Sequence, residues 1–420
     1  MSADISREQD PVYTEALAWL REHWQPGLTV RQWWKLIAES GWAYPTWPAD
    51  LFGKGLPASS VSAVRDAFAE VGALGPPVRA GQKLAAPTLI LHGSEEQKRE
   101  FLPALASGQE QWSQFFSEPE AGSDLAGIRT RAERDGDDWI ITGRKVWSSF
   151  AQFSDRGILL ARTDWNVPKH KGLTFFVIDL DQPEIEIRPL RQMNGNSEFN
   201  EVIFSGARVP AGRVVGGEGN GWKVALATLS FERFMTVAPV SALPGEKGGF
   251  LDKEAAAIAS GVLATPGEGA LIGRIAGHVA SAARQSGKIG DAVFRQRLAE
   301  LYMTEAVFQN LSRRHAAEIA SGGAGSAGSI IKIMRSQLAR MGRDVGLEAL
   351  GSNALVRDGT AANEIIQHFA LTSPYASIAG GTDEIQKNII AERLLGLPKE
   401  AAHDANEPFC EVIKRTQRPD

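Results

Sequence analysis

The chain has 420 residues, enough for two or three domains with sizeable cores. Its net charge of −5 comes from 50 acids and 45 bases interspersed along the sequence, which excludes an electrostatic case for nucleic acid or an anionic membrane. The one cysteine, Cys410, rules out a disulfide within the chain, and no apolar run reaches the ~18 residues of a membrane span. The polar N-terminal residues read as neither signal nor transit peptide, so a cytoplasmic protein is expected.

From residue 11 to about 110 the pattern is helical. Apolar residues three and four apart predict amphipathic helices in Tyr13–Leu20 and Val30–Ile37. Val61–Leu74 and Pro87–His92 predict two more, the second with proline in its first turn. Ser94-Glu-Glu-Gln97 reads as a capping box that opens another. The period changes near residue 111, where short β-rich runs begin: Thr130–Arg134, Trp139–Ile141, Lys145–Trp147, Gly157–Ala161, Leu173–Ile178, Ile185–Pro189 and Glu201–Phe204. The second and third read as a hairpin turning tightly at Thr142-Gly143. Helical periodicity returns from Gly221, with Val224, Ala227, Thr228, Phe231 and Met235 on one face and Leu226 and Leu229 widening it. Further helices are expected over about 270–320 with a break at Gly287–Gly290, at Ser329–Met341, at Arg343–Leu350 and at Thr382–Leu395.

This order predicts an α+β chain: an N-terminal helical domain over 1–110, a small central antiparallel β-barrel or sandwich over 111–215, and a C-terminal helical bundle over 216–400. An insertion falls near 240–270 and a tail over 401–420. Gly323-Ala-Gly-Ser-Ala-Gly328 fits G-x-G-x-x-G in letters only, because a helix and not a strand precedes it. The histidines show no metal-ligand spacing and no G-x-S-x-G elbow exists, so no metal site is expected.

The most specific stretch runs from Gln114 to Ser149. Glu118-Pro-Glu-Ala-Gly-Ser-Asp124 is too polar and turn-rich for strand or helix, and reads as a loop presenting backbone N–H groups and small hydroxyls. Beside an aromatic residue on a strand, such a loop suits a flat ring system carrying phosphates. A plain β-hairpin with a polar loop is the alternative.

In order and spacing, Phe115-Phe-Ser-Glu-Pro-Glu-Ala-Gly-Ser-Asp124 followed by Gly143-Arg-Lys-Val-Trp147-Ser-Ser149 resembles the flavin-binding middle domain of the acyl-CoA dehydrogenase family. Phe199–Phe204 through Val209-Pro210 to Gly219-Asn-Gly-Trp222, and Gly381–Gln386 through Ala391-Glu-Arg393, follow the same family. The resemblance implies FAD as cofactor, a saturated acyl-CoA as substrate, a trans-2-enoyl-CoA as product and an electron-transferring flavoprotein as acceptor. It also implies a homotetramer or dimer, with a heterotetramer as the alternative.

Carried over residue by residue, the family's pattern lays Phe115, Phe116 and Ser117 along the isoalloxazine ring. It puts Ser123 near the flavin pyrophosphate and the pantetheine, Trp147 beside the ring and Ser149 near flavin N5. Thr382 and Glu384 match FAD contacts from the last helix. Arg284 and the Gly351 turn resemble groups that reach a neighbouring subunit's FAD, although Glu348 stands where glutamine is common.

The family's usual base, a glutamate before Gly-Thr, is replaced here by Gly380. Its backbone N–H remains as a donor to the thioester oxygen. Another branch of the family carries the base on an earlier helix in L-x-x-E-R, and Leu229-Ser-Phe-Glu232-Arg233 fits that pattern. The resemblance therefore implies Glu232 as catalytic base, with Arg233 supporting it and the CoA; Asp383 and Glu384 are substitutes. The substrate expected is bulky or branched, as in a steroid side chain. The alternatives are a non-catalytic subunit of a heteromeric dehydrogenase, or a relative using flavin for oxygen or nitro chemistry.

Overall fold

A computed structural model of the protein describes residues 10–25, 28–232, 271–321, 327–356, 359–401 and 404–416. The expected insertion near 240–270, Arg233, Met235, and most of the Gly323–Gly328 stretch lie outside the described residues. These residues fall into two compact units, one within Met1–Gln192, Asn196–Ala259 and Glu400–Asp420, the other within Met193–Gly195 and Ser260–Lys399.

The first unit begins with α1 (Pro11–His23), α2 (Val30–Glu39) and α3 (Val61–Val71). The apolar stripes predicted from the sequence bury Leu17, Leu20, Trp33, Trp34 and Phe68 in one cluster. Both buried indoles find acceptors, Trp33 Nε1 on Leu74 O and Trp34 Nε1 on Gly75 O, as buried polar groups must. A π-helical turn, Gly81–Ala85, leads into α4 (Ala86–His92). The expected Ser94–Gln97 capping box opens α5 (Glu95–Ala106).

The strands are β1 (Trp112–Phe115), β2 (Arg131–Asp135), β3 (Asp138–Ser149), β4 (Arg156–Arg162), β5 (Leu173–Asp179), β6 (Ile185–Pro189), β7 (Phe199–Pro210) and β8 (Val214–Val215). The sheet runs β6-β7-β3-β2-β4-β5-β8, with β1 added on β4. The expected helical, mostly antiparallel β and helical order holds; of the barrel-or-sandwich alternatives the closed barrel does not, since the sheet is not closed, and β4 pairs in parallel with β1 and β2 while the rest is antiparallel. It instead curls over itself. Phe176 and Leu159 on one half bury against Trp139 and Phe204 on the other. The opposite faces of β4 and β5, through Ile158, Leu160, Phe175 and Val177, pack with residues of α4, α5 and α6 (Gly221–Glu232). Strands covered on both faces read as apolar runs, which is how β4 and β5 look in sequence.

A second correction concerns the hairpin expected at Thr142-Gly143. Trp139–Ile141 and Lys145–Trp147 belong to one continuous strand, β3, with register shifts against β7 between Ile141 and Thr142 and again between Lys145 and Ser148. Gly143 serves close approach rather than a turn, since a Cβ there would meet Thr130 Cα at 2.7 Å.

The second unit holds α7 (Ile275–Gln285), α8 (Ala292–Ala320), α9 (Gly328–Leu350), α10 (Ala361–Thr372) and α11 (Asp383–Ile389). The break expected at Gly287–Gly290 is present, with Gly287 left-handed at φ +77°. The two helices expected on either side of Met341 are one. Gly342 continues α9 because it lets α7 and α10 come close: a Cβ there would meet Ile275 Cγ2 at 2.6 Å and Phe369 Cε1 at 3.0 Å. The last helix, α12 (Phe409–Thr416), belongs to the first unit and closes the described chain. Among the described residues no helix is long and apolar enough to cross a membrane.

Candidate flavin and acyl-CoA site

In the first unit the site begins with the loop after β1. Glu118 is buried and accepts from Arg129 N (2.6 Å), Thr130 N (2.9 Å) and Lys145 Nζ (2.8 Å), while Lys145 Nζ also donates to Phe116 O (2.8 Å). The two side chains are 4% and 0% exposed. Burial alone would raise the Glu118 carboxyl, but Lys145 and the N–H donors outweigh it and hold it below the usual range; burial pushes the Lys145 ammonium down. Arg162, fully buried on β4, donates to Ala126 O (2.6 Å) and Ile128 O (3.1 Å), and burial lowers it to about 10. Both ends of the Glu118–Thr130 loop are thereby fixed from inside. Its middle, Pro119–Asp124 apart from Ala121, faces solvent.

Arg162 is in turn covered by Phe409, whose ring centroid lies 3.7 Å from the guanidinium carbon. Lys169 bridges Asp124 of the loop and Asp404 near the C-terminus, 3.2 Å to each. The segment expected as a tail thus braces the loop.

The phenyl rings of Phe115 and Phe116 are both buried. Phe115 packs edge-on against Phe204, and Phe116 against Phe175. Neither ring is open to a ligand, so this segment offers its backbone and Ser117. Ser117 O accepts from Val146 N (3.0 Å), which sets Ser117 beside the bulge that carries Trp147.

Trp147 has φ +62° and Phe150 φ +57°, left-handed values that a bulky side chain avoids. The register shift between Lys145 and Ser148 turns the indole outward, 60% exposed, with an edge contact to Phe199. An exposed tryptophan on strained backbone is costly to the fold alone, and such outliers concentrate at ligand sites. Ser149 lies between them, its carbonyl accepting from Ser113 Oγ (3.0 Å). The hydroxyls of Ser117, Ser123 and Ser149 bond to no described residue. An open indole, three accessible hydroxyls and a fixed loop fit a flat ring carrying phosphates.

Glu232 is the last residue of α6, and its side chain lies outside the described residues. The preceding turn packs Leu229 and Phe231 against the apolar cluster beneath the sheet. Leu226, expected to widen that face, is instead 43% exposed.

In the second unit Gly380 and Gly381 are both left-handed, at φ +67° and +85°. Thr382 caps α11, its Oγ1 accepting from Ile385 N at 3.3 Å, and Gln386 Nε2 donates to Gly380 O at 2.9 Å. The N–H of Gly380 meets no acceptor among the described residues. Asp383 receives Lys332 Nζ and Arg340 Nη1, each at 3.0 Å. Burial would raise its carboxyl, but the neighbouring Ser336 hydroxyl and the Lys332 and Arg340 cations outweigh it and hold it at about 2. An ion-paired acid of that strength is a poor base. Glu384 is exposed on the first turn of α11.

Arg284 and Gly351 end α7 and α9, which Ser286 Oγ joins by donating to Ala349 O at 2.7 Å. Arg284 is exposed, without an ion pair among the described residues. Glu348 is neutralised by Arg297 and Lys288, so it is not a bare acid beside the Gly351 turn. Sequence reasoning missed Arg162 and Phe409; a lone arginine in an apolar strand was the available signal.

Residues 9–109, 113–207 and 251–395 match the N-terminal, middle and C-terminal domain models of acyl-CoA dehydrogenase. Acyl-CoA dehydrogenase IpdE1 of Mycobacterium tuberculosis is 34% identical over 373 residues, 88% of this chain and 89% of the relative. FadE34 of the same organism is 36% identical over 366 residues, 86% of this chain and 46% of the relative. Among solved structures, the ChsE4-ChsE5 complex from Mycobacterium tuberculosis matches with a TM-score of 0.68 at 25% identity, covering 95% of this chain and 100% of that chain. The Tcur3481-Tcur3483 steroid ACAD gives 0.70 at 24% identity, over 93% and 97%, a likeness of fold alone. With three consecutive domain models and a relative matched over 89% of its length in agreement, the chain belongs to the acyl-CoA dehydrogenase family.

Proposed function

We propose that the protein is an FAD-dependent dehydrogenase that converts a saturated, bulky or branched acyl-CoA to its trans-2-enoyl-CoA. The observation that carries the flavin reading is Trp147, exposed on left-handed backbone beside a loop fixed by the buried Lys145–Glu118 pair. The bound flavin supplies the acceptor for hydride from the acyl β-carbon. Trp147 gives that ring a stacking platform, Ser117 and Ser149 offer it hydroxyl donors, and Ser123 on the exposed loop serves the pyrophosphate and the pantetheine.

Glu232 removes the α-proton. It follows a turn that packs Leu229 and Phe231 on the apolar cluster. Arg233 assists Glu232 and the CoA. The second unit offers the free N–H of Gly380, the group suited to charge on the thioester oxygen. Thr382 and Glu384 are assigned to FAD, and Arg284 and Gly351 to the FAD of a neighbouring subunit. Electron-transferring flavoprotein is the acceptor, in a homo- or hetero-oligomeric assembly.

Anaerobic addition of a panel of acyl-CoAs to the purified flavoprotein tests this reading. The flavin band should bleach with at least one, and Glu232→Gln should slow bleaching by roughly 10³-fold or more. Bleaching that survives the substitution removes Glu232 as base. A folded chain that binds no flavin points to a non-catalytic subunit.

A further inference from the structure

The π-helical turn before α4 carries two cations that the reaction above does not use. Gly81 abuts Leu105 and Trp112, and Gln82 donates to Leu105 O at 2.8 Å, which fixes the rotation of this turn. Gly81, Gln82, Leu84 and Ala85 are buried, leaving Arg79 and Lys83 together on the remaining face, joined by Lys83 N donating to Arg79 O at 2.9 Å.

Two contacts place that face. The guanidinium of Arg79 stacks on Phe150, 4.8 Å from its centroid, next to Ser149. On the other side, α4 and α6 run antiparallel. Thr88 Oγ1 meets Thr228 Oγ1 at 2.9 Å, and a Cβ built on Gly216 would touch both His92 and Val224. Residue 92 therefore pairs with 224 and 88 with 228. One turn further, the turn holding Lys83 lies opposite the end of α6, at Glu232. The Arg79–Lys83 face is bracketed by the two elements assigned to hydride and proton transfer, where the acyl group has to lie.

Lys83 is partly buried and makes no hydrogen bond or ion pair with a described residue. Burial and the charge of Arg79 both depress its pKa, and no acid among the described residues offsets them. A dehydrated ammonium beside a like charge is unfavourable until an anion joins it. A neutral oxygen would satisfy its hydrogen bonds but not the repulsion.

Resting on the reading that places the acyl group between Ser149 and Glu232, we propose that Lys83, with Arg79 beside it, selects acyl thioesters whose acyl group carries a second carboxylate. The substrates would be mono-CoA esters of dicarboxylic acids, with the distal carboxylate held by the Lys83 ammonium. Lys83 is then a specificity residue, not part of the proton or hydride transfer.

The test compares mono-CoA esters of dicarboxylic acids with methyl-ended acyl-CoAs of matched length, over a series of lengths. Each is tested by flavin reduction and, as non-reactive thioether analogues, by calorimetric binding. The expected result is a preference of about ten-fold or more for the carboxylate at one length in both readouts. Lys83→Met should abolish it and Lys83→Arg should keep it, flavin content reporting that each variant folds. Equal use of the two series by the unmodified protein overturns the proposal, as does a preference that persists in Lys83→Met. Failure of every acyl-CoA in both readouts would instead overturn the dehydrogenase reading on which it rests.

Discussion

At the residue scale, the sequence names Trp147 but not its backbone. A Gly-x-x-x-Trp spacing aligns with a family pattern, whereas a left-handed tryptophan inside a strand follows only from the bulge between Lys145 and Ser148. That conformation costs on the order of 1–2 kcal/mol for a residue with a Cβ. Glycine adopts it without strain, although its freer unfolded chain offsets part of the gain. Trp147→Gly is therefore expected to leave the thermal midpoint of the flavin-free chain unchanged or slightly raised. Loss of the stacking platform should weaken FAD binding about ten-fold or more. A fall in midpoint with unaltered FAD affinity would make Trp147 a structural residue. The phenylalanines show the reverse limit: the motif letters Phe115-Phe116 align with a flavin contact, yet both rings face hydrophobic clusters. Alignment identifies a segment near a ligand and does not say whether ring or backbone meets it.

At the element scale, most of the fold was legible because local signals agreed with the tertiary outcome. The capping box at Ser94, the left-handed glycine at 287 and the apolar runs of β4 and β5 each carry their physical cause within a few residues. The misreadings share another cause. Gly143 and Gly342 look like breaks in sequence, but each is a close approach to a residue far along the chain, Thr130 or Phe369 among them. Sheet closure was likewise invisible, because strand lengths do not fix which edges pair.

The Gly380–Gln386 turn shows the same dependence on distant partners, since Asp383 is held by Lys332 and Arg340 of α9. Its folded pKa of about 2 lies below the ordinary 3.8, so its contribution is present above about pH 4 and is lost as pH falls toward 2. Linkage puts it at roughly 2–3 kcal/mol at neutral pH. Asp383→Asn should cost about that much at pH 7, with its stability and that of the unmodified chain converging as pH approaches 2. Denaturant titrations of both proteins between pH 5 and 2 check this; parallel curves would mean that Asp383 is not the titrating group.

At the scale of the whole molecule, each unit has a hydrophobic core of its own: one around Ile275, Val279, Phe294 and Leu338, the others within the helices and sheet of the first unit. A core of its own is what lets a region unfold as a cooperative block. The buried Lys145–Glu118 pair and the Asp383 cluster lie in different units, so they report on different blocks. Glu118→Gln leaves Lys145 fully buried without its counter-charge, a loss of about 3 kcal/mol or more. For blocks of this size that lowers a midpoint by roughly 6–12 °C. Calorimetry of the flavin-free protein should resolve two transitions, Glu118→Gln moving one and Asp383→Asn at pH 7 the other, with additive shifts in the double variant. One transition lowered by both substitutions would show that the molecule unfolds as a single block. A Glu118→Gln shift should also carry a loss of flavin affinity, because the same carboxylate fixes the loop that bears Ser123, whereas the Asp383 shift should leave the Trp147 platform intact.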